Sequence, residues 1–220
     1  MLTAPLFALH IPDGFLSPGI AIGGWAIALG TITLTLRDGR RRQGEALAAH
    51  LGVAAAFVFA AQMINFPIPG GTSGHLLGGT LLGILMGRRS ASLALALVFA
   101  VQALVFQDGG LASFGTNYLN MGLIGCWGGT SLWQVLQRLG LGRNVAAAIA
   151  AWAAVVVAAL ACALELAASG TVPLSTALPA LLGWHLLIGV GEGAITATVV
   201  GFLGRVRPDL LQAAPQPAWR

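Results

Sequence analysis

The chain has 220 residues, of which 57% are hydrophobic and only 8% are charged. Soluble domains carry about 25% charged residues, so this composition excludes an ordinary soluble domain and predicts a membrane protein. The formal net charge of +4 does not indicate nucleic acid, because the basic residues are distributed as in membrane loops.

Seven apolar stretches follow one another along the chain, and most approach the about 20 residues that a helix needs to cross a bilayer. The third is short and rich in glycine, which indicates a tilted or broken helix. We predict an all-α fold of about seven transmembrane helices in a single membrane domain, residues 1–220, with an N-terminal segment (1–17), a helical bundle (18–203) and a tail (204–220). The stretches are 18–36, 44–65, 73–87, 90–106, 119–137, 145–167 and 179–203.

Arginine supplies every basic charge, and all 11 arginines fall in alternate loops. The positive-inside rule makes those loops cytoplasmic. The C-terminus is then cytoplasmic, and seven spans place the N-terminus outside. We therefore expect a multi-pass protein of the cell (inner) membrane, embedded in the lipid bilayer. The four groups are Arg37 with Arg40, Arg41 and Arg42; Arg88 with Arg89; Arg138 with Arg143; and Arg205, Arg207 and Arg220.

Three of the four histidines, His10, His75 and His185, fall in the predicted outer half of the membrane, whereas His50 falls in the cytoplasmic half of the second helix. Histidine is a common ligand of borderline transition metals. A histidine packed in the core remains the alternative for His50 and His185. His10 and His75 adjoin glycine-rich turns instead, which favours metal ligation by this pair.

Four motifs of the chain resemble the CbiM/NikM family, the substrate-binding membrane subunits (S components) of energy-coupling-factor transporters for cobalt and nickel. The resemblance covers essentially the whole chain. The motifs are HIPDGFLSP at 10–18, MINFPIPGGTSGHLLGG at 63–79, FQDGGLASFGTNYLNMG at 106–122 and IGVGEGAIT at 188–196.

This resemblance implies a metal site made of four nitrogen atoms. Carried onto this sequence, they are the amine and the amide nitrogen around Leu9 and His10, the ring of His10 and the ring of His75. A flat set of four nitrogens suits Ni(II), Cu(II) and low-spin Co(II), and suits Zn(II) poorly. We expect Co(II) or Ni(II) to be the transported substrate.

The residues MLTAPLFA precede Leu9, and position 9 has a free amine only without them. They lack the basic region of a secretory signal, and their apolar part is too short for one. Either the chain is trimmed after Ala8, or translation begins at the codon of Leu9. We favour the second alternative.

Other polar residues near the outer loops are expected to support the ligands. Asp13 lies in the turn signal Pro-Asp-Gly, and a capping role is the alternative for it. Gln107 and Asn120 could orient the histidine rings from a distance or cap helices four and five. The predicted supporting set is Asp13, Asn65, Ser73, Asp108, Asn117 and His185.

His185 and Glu192 are two helical turns apart and share a face of the last helix. A carboxylate at membrane depth is costly and usually faces the bundle, so Glu192 is expected to make internal hydrogen bonds or to couple movements. The small residues of helix six serve either packing within the chain or docking to a partner.

A serine protease is the alternative function. Gly71-Thr72-Ser73-Gly74 matches the GxSG pattern of intramembrane proteases, and Ser73 with His185 would form the dyad. Four residues in a glycine-rich chain are a weak signal, and the pattern leaves His10 and His75 unexplained.

The chain is not expected to be an enzyme that hydrolyses ATP. The phosphate-binding pattern GxxxxGK[ST] requires a lysine, and the chain has none. The resemblance implies partners instead: a transmembrane coupling (T) subunit, a pair of ATPase subunits and often a small auxiliary membrane subunit.

Overall fold

The computed structural model describes residues 9–39, 45–63, 66–68, 72–208 and 211. Over these residues the chain forms seven helices and one small hairpin, which confirms the all-α fold. The helices are α1 (Pro18–Gly39), α2 (Glu45–Gln62), α3 (Gly79–Met86), α4 (Arg88–Val101, continued by π-helical turns over Gln102–Phe106), α5 (Phe114–Asn117, π-helical turns over Tyr118–Gly129, then Thr130–Arg138), α6 (Arg143–Ala168) and α7 (Leu174–Val206).

Within the described ranges, four helices are long and apolar enough to cross a membrane: α1, α4, α6 and α7. Their outward surfaces carry large apolar side chains, such as Ile22, Leu104, Leu187 and Phe202, that are exposed on the chain. Such apolar surfaces are stable in contact with lipid and are unfavourable in contact with water. The chain is therefore a multi-pass membrane protein.

The third apolar stretch, 73–87, is interrupted, as its glycine content predicted, and only its second half is helical. Strand β1 (Phe66–Ile68) pairs antiparallel with β2 (Thr72–Gly74), and α3 begins only at Gly79. Gly78, with φ +74°, takes the left-handed conformation immediately before it. With 8 residues, α3 is about 12 Å long, far less than the about 30 Å of a bilayer core. It is a half-helix buried inside the bundle.

Two GxxxG pairs hold α3 against α5. An added Cβ at Gly79 would lie 2.9 Å from the Cα of Gly125, and one at Gly129 would collide with the Thr80 side chain. Thr80 Oγ1 donates to the carbonyl of Gly125 at 3.1 Å. Small residues at this spacing let two backbones approach closely in a membrane.

The small residues of α6 pack within the chain, against α7. An added Cβ at Gly193 would lie 2.8 Å from the carbonyl oxygen of Ala148, and one at Gly189 would lie 2.9 Å from the indole ring of Trp152. Trp152 Nε1 donates to the carbonyl of Leu186 at 3.1 Å. Of the two readings left open for helix six, the structure shows internal packing.

The arginines of α4–α7 cluster at one end of the bundle. Arg143, at the start of α6, lies against Gly204 near the end of α7. Arg88, at the start of α4, stacks 4.9 Å from the ring centre of Trp127. The N-terminal segment packs at the opposite end, where the Thr171 hydroxyl donates to the carbonyl of Phe15. That this end faces outward remains a prediction.

The first helix crosses α5 at a glycine contact, and most of its remaining length is exposed. An added Cβ at Gly24 would lie 2.4 Å from Thr116 Oγ1, and one at Gly115 would lie 2.2 Å from the backbone nitrogen of Trp25. No atom lies within 4 Å of a Cβ added at the neighbouring Gly23. The approach of α1 to α5 therefore requires glycine at this crossing.

Gly24→Ala should lower the thermal midpoint of the detergent-solubilised protein by about 2–10 °C, because the new methyl group forces α1 away from α5. The matched control is Gly23→Ala, one residue earlier, which should leave the midpoint equal or slightly higher since alanine favours a helix. Equal midpoints for the two variants would show that the contact is not required.

Candidate metal centre

The N-terminal segment, residues 9–17, folds over the end of the bundle and is tied to α5 by one asparagine. Asn117 Oδ1 accepts a hydrogen bond from the backbone N–H of Ile11 at 2.9 Å, and Asn117 Nδ2 donates to the carbonyl of Ile11 at 3.1 Å. The N–H of Gly110 donates to the same carbonyl at 3.1 Å. The backbone polar groups of Ile11 are thus satisfied inside the protein, as burial requires.

Asp13 joins the same segment to the loop between α4 and α5. Its carboxylate accepts hydrogen bonds from the N–H groups of Leu111 at 3.0 Å, Ala112 at 2.8 Å and Ser113 at 3.2 Å. These N–H groups precede α5, so Asp13 caps that helix from a distant part of the chain. Gly110 is required beside it, because an added Cβ would lie 1.9 Å from Asp13 Oδ1. The structure favours the capping alternative for Asp13.

His10 and His75 meet beneath this segment. Their rings stack with centroids 4.7 Å apart and planes 18° from parallel, and each residue is 5% exposed. His10 Nδ1 lies 3.3 Å from Asp108 Oδ1, while His10 Nε2 is buried and has no hydrogen-bond partner among the residues that the structure describes. The two predicted ligand side chains are therefore neighbours, and one carries an unsatisfied nitrogen.

The surroundings of the pair favour a neutral His75 ring. Burial and the neighbouring His10 lower the pKa of His75 to about 4. The hydrogen bond with His10 lowers the pKa of Asp108, so that carboxylate stays ionised. A neutral imidazole has a lone pair for a metal, and a nearby negative charge favours a bound cation.

A bond to the backbone determines which nitrogen of His75 is free. His75 Nδ1 lies 3.0 Å from the carbonyl oxygen of Leu76. A carbonyl can only accept, so Nδ1 carries the hydrogen and Nε2 has the lone pair. A metal ligand held in this way is oriented by its other ring nitrogen.

Glu192 and two glutamines hold the segment between His75 and α3. Both oxygens of Glu192 accept backbone hydrogen bonds there, from Leu77 and Gly78. Gln62 Nε2 donates to the carbonyl of Leu77 at 2.9 Å, and Gln102 Nε2 donates to Gln62 Oε1 at 2.8 Å. Sequence analysis missed both glutamines, although a glutamine near the end of an apolar helix was a signal for them.

The remaining predicted residues make other hydrogen bonds or lie outside the described part of the chain. His185 is buried, and its Nδ1 donates to the carbonyl of Leu181 at 2.7 Å on its own helix. Asn120 does not orient a histidine, because its Nδ2 donates to Glu165 Oε2 at 2.6 Å. Gln107 ends α4 as an exposed residue with φ 55°. Outside the described residues and side chains lie Asn65, the side chain of Ser73 in β2, and the side chain of His50 in α2.

Side chains alone do not complete a metal site here. Over the described ranges, no group of three or more His, Cys, Asp and Glu side chains is arranged to hold an ion. The two imidazoles can supply two nitrogen ligands. The ligand set implied by the family resemblance takes its other two nitrogens from the backbone beside His10, and it stays a prediction.

Asn117→Asp should loosen the N-terminal segment. The substitution replaces the Nδ2 donor with an oxygen that faces the carbonyl of Ile11, so this carbonyl loses one of its two hydrogen bonds and meets a second acceptor, at a cost of about 1–3 kcal/mol. Hydrogen exchange of residues 9–16, followed by mass spectrometry, should become about tenfold or more faster. The control is Asn144→Asp, an exposed substitution at the arginine end of the bundle. Unaltered hydrogen exchange in Asn117→Asp would contradict the role of Asn117 in holding the N-terminal segment.

Known proteins of similar sequence and structure are metal transporters. Residues 10–210 match the CbiM family, described as "Cobalt uptake substrate-specific transmembrane region". A Haloquadratum walsbyi protein named for metal transport is 41% identical over 205 residues, 92% of this chain and 93% of its own length. A cobalt transport protein CbiM of Geobacter sulfurreducens is 33% identical over 220 residues, 96% of this chain and 64% of its own length.

A solved structure of similar fold also belongs to a metal transporter. The crystal structure of a transition metal transporter superposes with a TM-score of 0.84 at 32% identity, and the match covers 93% of this chain and 96% of that one. The Ser73 and His185 protease alternative has no support among these matches. The chain belongs to the CbiM family of cobalt uptake transmembrane proteins.

Proposed function

We propose that this chain is the substrate-specific component of an energy-coupling-factor transporter of the ABC type, and that it captures Co(II) or Ni(II) outside the cell. The observation that carries the proposal is the buried, stacked pair of His10 and His75 under the folded N-terminal segment. Relatives named for cobalt and for nickel transport support this choice of metals.

In the proposed site, the metal is held in a plane of four nitrogens. His10 Nδ1 can close a six-membered ring with the amide nitrogen of its own residue, whereas Nε2 is too distant along the ring to do so. The amine of Leu9 would close a five-membered ring on the other side, and His75 Nε2 would provide the fourth nitrogen. Flat coordination of this kind suits Ni(II) and low-spin Co(II).

Asp108 is the group that the metal would displace from His10. Its carboxylate faces Nδ1 at 3.3 Å, the nitrogen that the chelate ring needs. Metal binding would exchange this long contact for a coordinate bond and leave the carboxylate beside the cation. Asp108 would thus orient the empty ligand and favour the charge of the loaded site.

Transport into the cell needs partners in this proposal. A buried chelate releases its metal slowly, so the site must be dismantled to empty it. A coupling subunit in the membrane, driven by two ATPase subunits and assisted by a small auxiliary subunit, would supply that work. The absence of lysine from the sequence, and hence of a P-loop, supports an ATPase on other chains.

His75→Ala should abolish stoichiometric binding of Ni(II) or Co(II) by protein whose N-terminus is Leu9, or the initiator methionine in its place. Loss of one nitrogen from the plane should weaken binding by at least about 100-fold, measured as metal content after gel filtration. His50→Ala, a histidine on α2, is the matched control. Equal metal content in the His75 variant would refute the proposed site.

Vesicles that contain the chain alone should bind metal only in proportion to the protein. Uptake beyond that amount should require the coupling and ATPase subunits together with ATP, because no other energy source dismantles the site. Full uptake by the chain alone, without ATP, would contradict the proposed partnership.

A further inference from the structure

The peptide group between Leu76 and Leu77 links His75 to a carboxylate on α7. Its oxygen, on Leu76, lies 3.0 Å from His75 Nδ1. Its N–H, on Leu77, donates to Glu192 Oε2 at 2.8 Å. Because a peptide group is planar, its two hydrogen bonds are coupled. Glu192 determines the orientation of this peptide group, and the peptide group in turn determines the orientation of the His75 ring.

The next peptide group is held in the same way. The N–H of Gly78 donates to Glu192 Oε1 at 2.8 Å, and the carbonyl of Leu77 accepts from Gln62 Nε2 at 2.9 Å. Gln102 Nε2 in turn donates to Gln62 Oε1 at 2.8 Å. The second peptide plane is therefore held between α7 on one side and α2 with α4 on the other, whereas the first is held between α7 and the His75 ring.

The same network reaches the support of the other histidine. The carbonyl of Gln102 accepts a hydrogen bond from the N–H of Asp108 at 3.1 Å, and Asp108 faces His10. Gln62 and Gln102 are fully buried, and Glu192 is 3% exposed. Hydrogen bonds in such surroundings are strong when complete and costly when broken.

We infer that Glu192, with Gln62 and Gln102, positions His75 Nε2 opposite His10 so that it can complete the plane of nitrogens. This inference rests on the proposed function and assigns three positioning residues to the same site. Histidine ligands are commonly oriented by a carboxylate on the other ring nitrogen. Here a peptide group stands between the carboxylate and the ring and transmits the orientation.

The carboxylate is needed because both of its oxygens accept. A Glu192→Gln side chain keeps the shape but offers one oxygen, and its NH₂ group would face one of the two N–H donors. One of the two peptide groups must then turn away. When it is the Leu76–Leu77 group that turns, the His75 ring loses its anchor.

The test uses the visible absorption and affinity of the purified chain loaded with Ni(II). In excess Ni(II), which the weakly binding His75→Ala variant requires, the d–d band of that variant should lie at longer wavelength than the wild-type band, because a weaker oxygen ligand replaces a nitrogen. Glu192→Gln should shift the band in the same direction and weaken binding about 10- to 100-fold. The matched control is Glu165→Gln, a carboxylate on α6 that is bound to Asn120, which should keep the wild-type band and affinity.

Gln62→Met serves as the second variant if Glu192→Gln does not purify as a folded protein. It keeps the volume but removes the donor to the Leu77 carbonyl, and a smaller shift in the same direction is expected. A wild-type band and affinity in the Glu192 variant, even with a lower melting temperature, would overturn the positioning role. A wild-type protein whose Ni(II) band does not change in His75→Ala would instead refute the proposed function.

Discussion

The structure depends on satisfying irregular backbone inside a bundle of apolar helices. A membrane offers no water to unpaired N–H and C=O groups, so non-helical segments persist there only when protein groups bind them. Two such segments meet at the candidate site: residues 9–17 and residues 75–78. Each is held by a polar side chain that binds backbone directly, Asn117 for the first and Glu192 for the second.

Glycine contacts bring the elements that carry these segments close enough to meet. The half-helix α3 follows directly on the His75 segment, and its glycines lie against those of α5. The first helix follows directly on the His10 segment, and Gly24 meets α5 at Gly115. Both histidines are therefore positioned through α5, which presents no large side chain at either crossing.

This arrangement suits a protein that must both hold and release an ion. The proposed ligands His10 and His75 lie on segments outside regular helices, while the side chains that hold these segments come from α2, α4, α5 and α7. A modest displacement of a helix would therefore alter two hydrogen-bonded peptide groups before it altered any ligand. In the proposed transporter, partners that move the bundle could first turn these peptide groups. The metal–nitrogen bonds would break only afterwards.

Much of this protein follows from sequence alone. Low charge and long apolar stretches determine an all-α membrane bundle, because lipid admits few alternatives, and the motifs around His10 and His75 identify the family and predict the ligands. Only the tertiary structure decided that residues 72–74 form a strand of a hairpin, that residues 75–78 are irregular backbone, and that Glu192, Gln62 and Gln102 hold this backbone in place. The physical reason is that hydrophobic periodicity reports burial, whereas a hydrogen bond between residues more than 100 positions apart, such as that from Leu77 to Glu192, depends on how the helices pack.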